Sequence, residues 1–452
     1  MRLNFETLIF DLPDDIRRAK DAGDFTLLKA LLEERLGSEA IPPMLRDRLL
    51  IERELMHRWE RRYPYTRAAA IQRMQERVSG FTEEEFDALE KEGCMDYIWL
   101  NGEKRYLSSF AGTLIIMKQW LAQREINPDT DDDGINLMDF IHEIKQNGES
   151  KYRFRIKSTL EIDNDTFDPK QNYLVHIPVP AAAAQQPADE IEIISDGEIA
   201  PCDTLQRTVA FRGNSDKYIA EFAYTSHLKY VNPFEDAPHI VYPAALPPCA
   251  DDLSEQYPHI AFTPYLKQLA KLIAGDETRP LYLAKRVYDY ITSHVRYSYM
   301  RSYIMIDRHA EYAALNLKGD CGIQAILFIT LCRILGIPAR WQSGLTVHKQ
   351  GTGMHDWAQF YTEEFGWLFA DPSFGGSGYR KHNMEKREYY FGNLDPFRMV
   401  ANRRYQSEFD VPKQFERDDP YDSQCGEVET ESYGLDIGFD KDDETLEFTK
   451  LC

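Results

Sequence analysis

The hydrophobic pattern of the chain changes its period near residue 150, and this change limits the folds open to it. In the segment KYRFRIKSTLEI, apolar and polar side chains alternate, as they do in a strand with one buried face. The apolar face carries Tyr152, Phe154, Ile156, Leu160 and Ile162. The runs NYLVHIPVP, DEIEIIS, RTVAF and DKYIAEFAYTSHLKYV follow as further short strands, separated by Pro, Gly and Asn. The pattern predicts an antiparallel β-sandwich over residues 149–254.

Two segments within and after these strands predict connections. VPAAAAQQPAD is a low-complexity run of small residues and prolines, which we expect to form a surface loop. FEDAPHIVYPAALPPCADDL is rich in proline and is typical of a linker. It ends near residue 255, so we place the start of a third segment there.

The segment before the strands, residues 1–148, predicts helices. Leu27, Leu28, Leu31 and Leu32 have helical spacing, and Gly37 follows them as a stop signal. Thr82 and Glu85 stand in the relation of a capping box, which fixes a helix start. We interpret this segment as a helical accessory domain, and a partner-binding role stays open.

The acidic run DTDDDG resembles the start of a calcium-binding loop, with Asp129, Asp131, Asp133 and Gly134 at the right spacing. The twelfth position of the loop is Phe140, where a bidentate glutamate would be needed. The pattern therefore favours a solvated acidic turn, and we predict no metal.

Charge and cysteine usage exclude several classes of protein. The formal net charge is -22 and no block of Lys and Arg occurs, whereas nucleic-acid binders need a basic surface. No apolar stretch approaches the roughly 18 residues of a membrane span, and the N-terminal segment does not read as a signal peptide. The seven cysteines are scattered without a CxxC pair, so neither a disulfide framework nor a zinc site is predicted. We expect a cytoplasmic protein that binds neither nucleic acid nor membranes.

One cysteine stands at the start of an apolar helix. In KGDCGIQAIL, Cys321 follows Asp320 and precedes a run that stays apolar to Gly336. A helix N-terminus carries partial positive charge, which lowers the pKa of a thiol placed there. A structural cysteine belongs inside such a run, where Cys332 stands. On this stretch alone, a nucleophile and a small buried residue are both consistent with Cys321.

A histidine and an aspartate downstream supply the groups that a nucleophilic thiol needs. His355 stands near the start of one predicted strand, HDWAQFYT, and Asp371 follows the next, GWLFA. A hairpin brings these two positions side by side, so the imidazole can accept the thiol proton while the carboxylate holds its other nitrogen. Each residue alone has ordinary structural roles, but the combination predicts a Cys321–His355–Asp371 triad. We expect the sulfur within about 4 Å of a His355 nitrogen.

The order of these motifs resembles the transglutaminase-like superfamily of papain-fold thiol enzymes. The resemblance rests on GDCGIQAILFITLCRILGIPAR, GMHDWAQFY and GWLFADPSF and covers roughly residues 280–380. It implies that Cys321 is the nucleophile, His355 the base and Asp371 the third member of the triad. The β-rich region is similar to the sandwich that precedes this core in many bacterial members, whereas the first 148 residues have no counterpart. Members of the family include protein cross-linkers, peptidases, amidases and inactive binding modules.

The groups that would hold the oxyanion are less well marked. The backbone N–H of Cys321 is the first donor, and the second candidates are Tyr297, Tyr299 and Gln324. Core packing is the alternative role of the two tyrosines. Trp357 shares a strand face with His355, so its side chain would either line the site or pack in the core.

For the charged residues near the triad, structural roles are the expected ones. Asp356 points to the strand face opposite His355, so we expect a surface or loop contact. Asp320 favours the helix N-terminus but opposes a thiolate if it lies close to the sulfur. Asp395 and Arg398 predict an internal ion pair, with a clamp for a substrate carboxylate as the alternative.

Together these features predict a multidomain α+β protein. Residues 1–148 form the helical domain, 149–254 the sandwich, and 255–452 a papain-like core with an acidic C-terminal extension. We expect a cysteine hydrolase that cleaves peptide or amide bonds of a protein or peptide substrate through an acyl-enzyme on Cys321, without a cofactor. A protein-glutamine transamidase and a catalytically silent binding module are the alternatives. The sequence does not fix the oligomeric state.

Overall fold

The computed structural model describes residues 3–128 and 136–451. The N-terminal region is mostly helical, with one small hairpin and a 3-10 turn at Phe5–Ile9. Its elements are α1 (Asp14–Ala22), α2 (Phe25–Leu36), α3 (Pro43–Arg62), α4 (Arg67–Arg77), α5 (Glu83–Lys91), β1 (Tyr97–Leu100), β2 (Glu103–Tyr106), α6 (Phe110–Met117), α7 (Gln119–Ala122) and α8 (Leu137–Asn147). The capping box predicted at Thr82 and Glu85 forms with both of its hydrogen bonds and starts α5. The calcium-like residues Asp129, Asp131, Asp133 and Gly134 lie outside the described residues.

The central region consists of strands, as the alternation predicts. They are β3 (Glu149–Ile162), β4 (Tyr173–Pro178), β5 (Glu192–Ile194), β6 (Glu198–Ile199), β7 (Thr208–Gly213) and β8 (Lys217–Lys229). On β3, Phe154, Ile156, Leu160 and Ile162 are buried, because this face of the strand lies on the core.

The C-terminal region mixes helices and strands. Its elements are α9 (Pro264–Ala274), α10 (Pro280–His294), β9 (Arg296–Tyr297), α11 (His309–Asn316), β10 (Lys318–Gly319), α12 (Cys321–Ile334), β11 (Ala339–His348), β12 (Gly351–Thr362), β13 (Gly366–Ala370), α13 (Pro372–Arg380), α14 (Met384–Tyr389), β14 (Phe391–Gly392), β15 (Arg398–Asn402), β16 (Glu427–Glu429), β17 (Gly434–Leu435) and β18 (Phe439–Lys450). None of the helices in the described ranges has the length and apolar character that a membrane span requires.

A five-stranded antiparallel sheet organises this region, in the order β14-β13-β12-β11-β15. Helix α12 packs on one face of the sheet, and the ring of Phe328 meets that of Phe360 at 5.9 Å. The helix is almost wholly buried after its first residue. The packing of this helix on the sheet therefore fixes the position of Cys321, the first residue of the helix.

The last strands of the chain do not join the core sheet. Strand β18 pairs with β3 in the sheet β18-β3-β8-β5, and β16 pairs with β4 in the sheet β17-β16-β4-β7-β6. Strand pairing therefore crosses the predicted boundary at residue 255, because these strands complete the sheets of the central region. The division of the chain into three domains stays a prediction.

The segment VPAAAAQQPAD is not a surface loop, so that expectation is wrong. Val179, Ala181, Gln185 and Gln186 in this segment are all buried. The side chain of Gln186 donates to the carbonyls of Ala181 and Val400, which ties the segment to β15 of the core sheet. Its small side chains let the backbone pack closely between the two regions.

Candidate active site

Cys321 is the first residue of α12, as the sequence predicts. The side chain of Asp320 caps the helix by accepting a hydrogen bond from the backbone N–H of Ile323 at 3.1 Å. The Tyr303 hydroxyl donates to the same carboxylate at 2.5 Å. The first N–H groups of an α-helix lack partners within the helix and present partial positive charge. The thiol therefore stands where the field of the helix favours a thiolate.

Gly322 lets the helix start approach the core sheet closely. A Cβ atom at this position would lie 2.2 Å from the Tyr303 hydroxyl and 2.7 Å from a carboxylate oxygen of Asp356. Any other residue would push the helix start away from β12. The glycine after Cys321 thus sets the distance between the thiol and the strand.

The thiol of Cys321 donates its hydrogen bond to Asp356 Oδ2 at 3.2 Å. Asp356 is buried, not at the surface as expected, and follows His355 on β12. The side chains of neighbouring residues point to opposite faces of a strand, and α12 covers the face that carries Asp356 and Phe360. The thiol accordingly meets Asp356, and no hydrogen bond between Cys321 and His355 is present among the described residues.

Asp356 belongs to a buried polar cluster around the sulfur. Gln424 donates to both Asp356 and Asp422. The hydroxyl of Ser343 also donates to Asp422, and it accepts from the indole N–H of Trp341 at 3.0 Å. No local pattern in the sequence predicts this cluster, since its members come from three distant segments.

The cluster disfavours negative charge on the sulfur. Burial, followed by the charges of Asp422 and Asp320, raises the pKa of Asp356 well above its ordinary value. Burial also raises the pKa of Asp320 to about 6. Burial, with the carboxylates of Asp356 and Asp320, raises the pKa of the Cys321 thiol well above its ordinary value. In this arrangement the thiol is protonated at neutral pH, against the effect of the helix field.

His355 forms the second half of the site with Asp371. Its Nε2 lies 2.7 Å from Asp371 Oδ2, and both side chains are buried. Asp371 follows β13 and caps α13, where its other oxygen accepts from the backbone N–H of Phe374 at 2.9 Å. The predicted hairpin thus brings the histidine and the aspartate together.

Arg398 fixes the charge of Asp371. Its guanidinium donates to Asp371 at 2.6 Å and to Asp395 at 2.8 Å, which confirms the internal ion pair. Although burial opposes it, the charges of His355 and Arg398 hold the pKa of Asp371 well below its usual range. The ionised carboxylate accepts a hydrogen bond, so Nε2 of His355 carries a proton.

The imidazole of His355 is neutral and oriented. Burial lowers its pKa, and Arg398 adds to this, while Asp371 acts in the opposite direction. With the proton on Nε2, Nδ1 is the acceptor, and it makes no hydrogen bond with a described residue. A base with these properties can receive a proton from a donor that reaches Nδ1.

The other predicted site residues differ in how close they lie to the Cys321 thiol. Tyr297 is near the sulfur, since Cys321 and Asp320 contribute with burial to raising the pKa of the Tyr297 hydroxyl. Tyr299 packs against Gly112 of α6. Gln324 donates to the Gly319 carbonyl at 2.8 Å, and Trp357 donates to Gln342 at 2.9 Å. Tyr297 therefore lies near the thiol, whereas the hydrogen bonds of Gln324 and Trp357 hold neighbouring elements of the core in place.

Comparisons with known proteins identify the core. Residues 267–372, which contain the thiol, the imidazole and Asp371, match the family described as the transglutaminase-like superfamily. A proposed cysteine protease from Cytophaga hutchinsonii has a similar structure at 14% identity and a TM-score of 0.41, over 66% of this chain and 91% of that one. The periplasmic domain of TgpA from Pseudomonas aeruginosa aligns at 14% identity and a TM-score of 0.29, over 55% of this chain and 95% of that domain. No curated protein matches the sequence.

Proposed function

We propose, from the premise that this chain belongs to the transglutaminase-like superfamily through residues 267–372, that it is a cysteine hydrolase. It would cleave peptide or amide bonds through an acyl-enzyme on Cys321. The substrate class, a protein or peptide, and a cytoplasmic location are parts of the same proposal.

One observation carries this proposal. The thiol at the N-terminus of α12 contacts β12 at Asp356, the residue next to the imidazole that Asp371 orients. A nucleophile, a neutral base and a buried carboxylate are thus gathered at one end of two neighbouring strands. Such a set is costly to maintain, because the imidazole of His355 and the carboxylate of Asp371 are buried polar groups.

In this structure the Cys321 thiol bonds Asp356 on the α12 side of β12. The first chemical step therefore requires the helix start or the beginning of β12 to move, so that the sulfur leaves Asp356 and reaches Nδ1 of His355. The thiol proton then passes to Nδ1, and the sulfur attacks the substrate carbonyl carbon, whose π electron pair moves to the oxygen. The backbone N–H of Cys321 stabilises this oxyanion. When the carbonyl re-forms, the carbon–nitrogen bond breaks, and His355 returns the proton to the leaving amine.

The second half of the reaction releases the acyl group. His355 takes a proton from a water molecule, whose oxygen attacks the thioester carbon. The carbon–sulfur bond breaks, and the leaving Cys321 sulfur takes the proton back from His355, which restores the resting thiol. Asp371 stabilises the imidazolium in both halves of the reaction, and Arg398 keeps Asp371 ionised. A primary amine in place of water would make the same enzyme a transamidase, and water is favoured because it is always present.

A specific observation favours a second candidate function. The Cys321 thiol is protonated and bonded to a carboxylate instead of an imidazole. A catalytically silent module that binds a peptide or a partner would tolerate such a resting state. The intact set of Cys321, His355 and Asp371 argues for the enzyme, since a binding module has no use for all three.

The test is incubation of the protein with a peptide library, with and without a primary amine, followed by mass spectrometry. Cleaved peptides and an acid-stable acyl adduct on Cys321 would support the hydrolase, and amine-linked products would support the transamidase. Cys321→Ala must abolish every product, while Cys249→Ala, at an exposed cysteine, must not. Intact peptides and an unmodified Cys321 would leave the silent module as the function.

A further inference from the structure

A cavity of about 590 Å³ lies between the central region and the core, away from Cys321 and His355. Its walls come from the buried segment at residues 182–188, the linker at residues 244–252, the start of β11 and the chain just after β15. A volume of several hundred cubic ångströms is typical of sites that bind small molecules. The cavity is therefore large enough for a ligand.

Four arginines line this cavity, and three of them form no ion pair within residues 3–128 and 136–451. The guanidinium of Arg404 forms an ion pair with Asp251 at 2.8 Å. Arg333, Arg340 and Arg403 bond only to backbone carbonyls or to an amide oxygen among the described residues. The cavity thus holds guanidinium groups whose charge is not neutralised by an ion pair.

The surroundings of these arginines are desolvated. Arg333 donates to the carbonyls of Ala339 and Ser254, both at 2.9 Å, and is buried. Arg340 donates to Gln359 at 2.7 Å and lies 3.8 Å above the ring of Trp367. Burial lowers the pKa of both Arg333 and Arg340 to about 10, so each is still charged at neutral pH.

Arg403 adds an unsatisfied donor to the same wall. Its Nε is buried and has no hydrogen-bond partner among the described residues, while another nitrogen donates to the Asp203 carbonyl. A buried donor without a partner is unfavourable in a folded protein. A ligand that accepts hydrogen bonds would satisfy this atom.

Two carboxylates face the four arginines of the lining, and the charge of Asp252 acts on both Arg333 and Arg340 without a direct ion pair among the described residues. Asp251 is engaged by Arg404, and Asp252 accepts a hydrogen bond from the backbone N–H of Cys249 at 2.9 Å. Four arginines and two aspartates leave the lining with a formal charge of about +2.

The rest of the lining is apolar. It includes Leu205, Leu246, Ile260 and Trp341 together with the alanines of the buried segment. An inorganic ion would leave this part of the cavity unfilled. An organic anion would place its charge on the arginines and its apolar body against these side chains.

We propose that this cavity binds a small organic anion, with a carboxylate or phosphate group held by Arg333, Arg340 and Arg403 and an apolar body against Leu246 and Trp341. Guanidinium groups bind both kinds of oxyanion in a bidentate manner, so the chemistry of the site fits either head group. The site is separate from the thiol and serves a ligand other than the proposed peptide substrate.

Calorimetric titration tests the proposal with three probes at constant ionic strength: benzoate, phenyl phosphate and benzyl alcohol. We expect saturable binding of one or both anions at one site, and at least about tenfold weaker binding of the neutral alcohol. The stronger of the two anions identifies the head group. Absence of saturable anion binding up to about 10 mM, or equal binding of the alcohol, would overturn the proposal.

Variants assign the binding to this cavity. Arg340→Gln should weaken anion binding at least about tenfold, while Arg279→Gln, at an exposed arginine paired with Glu277, should leave it unchanged. Leu246 is 72% exposed at the rim, so its substitution does not threaten folding. Leu246→Glu should repel the anion, and the matched neutral variant Leu246→Gln should retain binding. Anion binding within twofold of the wild type in both Arg340→Gln and Leu246→Glu would overturn the assignment.

Discussion

The thiol of Cys321 lies 3.2 Å from Asp356 Oδ2, and the neighbouring residue of the same strand, His355, is bonded to Asp371 at 2.7 Å. Two adjacent positions of β12 thus hold the thiol and orient the imidazole. The first of these interactions keeps the sulfur protonated, and the second prepares a neutral base.

Asp356→Asn should make Cys321 more reactive. The substitution removes a carboxyl group whose ionised form raises the pKa of the thiol, and it keeps an oxygen that can accept a hydrogen bond, so the pKa of the thiol should fall. Each unit of fall gives about tenfold more thiolate below the pKa, and since thiolate nucleophilicity falls with the pKa, the alkylation rate rises by roughly threefold. Iodoacetamide labelling at pH 7, followed by mass spectrometry, measures the rate at Cys321 against that at the buried Cys332.

The control for this labelling is Asp251→Asn, which removes an exposed carboxylate far from the thiol. It should leave the alkylation rate of Cys321 unchanged. An Asp356→Asn protein that reacts no faster than the wild type would show that Asp356 does not set the pKa of the sulfur.

His355→Ala should lower kcat/KM for peptide hydrolysis by roughly 10²- to 10⁴-fold, the usual contribution of a general base. Since burial lowers the pKa of His355, the wild-type rate should hold through the ordinary histidine pKa of 6.5 and fall only at more acidic pH. A pH–rate profile of kcat/KM checks both statements. The exposed His294, replaced by alanine, serves as the control, and an acidic limb centred above 6.5 would contradict the assignment.

Arg398→Met should destabilise the protein strongly. The arginine is buried and bonds two buried carboxylates, so its loss leaves uncompensated charge at Asp371 and Asp395. Removing one member of such a network costs about 3–5 kcal/mol. Urea unfolding measures the free energy, and Arg279→Met, in an exposed pair with Glu277, should cost less than about 1 kcal/mol. Equal losses in the two variants would contradict the role given to the buried network.

Asp320→Asn should change how stability depends on pH. The folded pKa of Asp320 is about 6, above the ordinary 3.8, so the folded state holds this proton more tightly than the unfolded state does. That contribution is complete below pH 3.8 and is lost as the pH rises through 6. Asparagine can also cap α12 and has no such proton to lose.

Between pH 4 and pH 8 the free energy of unfolding of the wild type should therefore fall relative to that of Asp320→Asn by up to about 3 kcal/mol. Urea unfolding of both proteins at the two pH values gives this difference, because contributions from other groups cancel. A difference that does not vary with pH would contradict the raised pKa.

Local pattern was sufficient for much of the fold and for the main residues of the site. Alternation located β3, the capping box located α5, and the apolar run after Asp320 placed Cys321 at a helix start. The hairpin of β12 and β13 brought His355 to Asp371. Each of these features depends on residues close in sequence, where period and turn chemistry act directly.

The features that pattern missed depend on contacts between distant segments. Asp356 was expected near the surface, yet Gln424 and Asp422 enclose it from a part of the chain that has little periodicity. The alanine-rich segment was expected to be exposed, yet Gln186 binds it to β15. The hydrophobic periodicity of a segment predicts which face of the helix or strand is buried. It does not predict which polar group from a distant segment will contact that face.

The pairing of β3 (Glu149–Ile162) with β18 (Phe439–Lys450) has a consequence for biosynthesis. Roughly 280 residues separate the two strands, which corresponds to about 15–60 s of translation at ~5–20 residues per second. During that time one edge of β3 presents open backbone groups to any other strand in the cell. The nascent chain therefore passes through a period of exposure to misassembly that ends only when its last strand has left the ribosome.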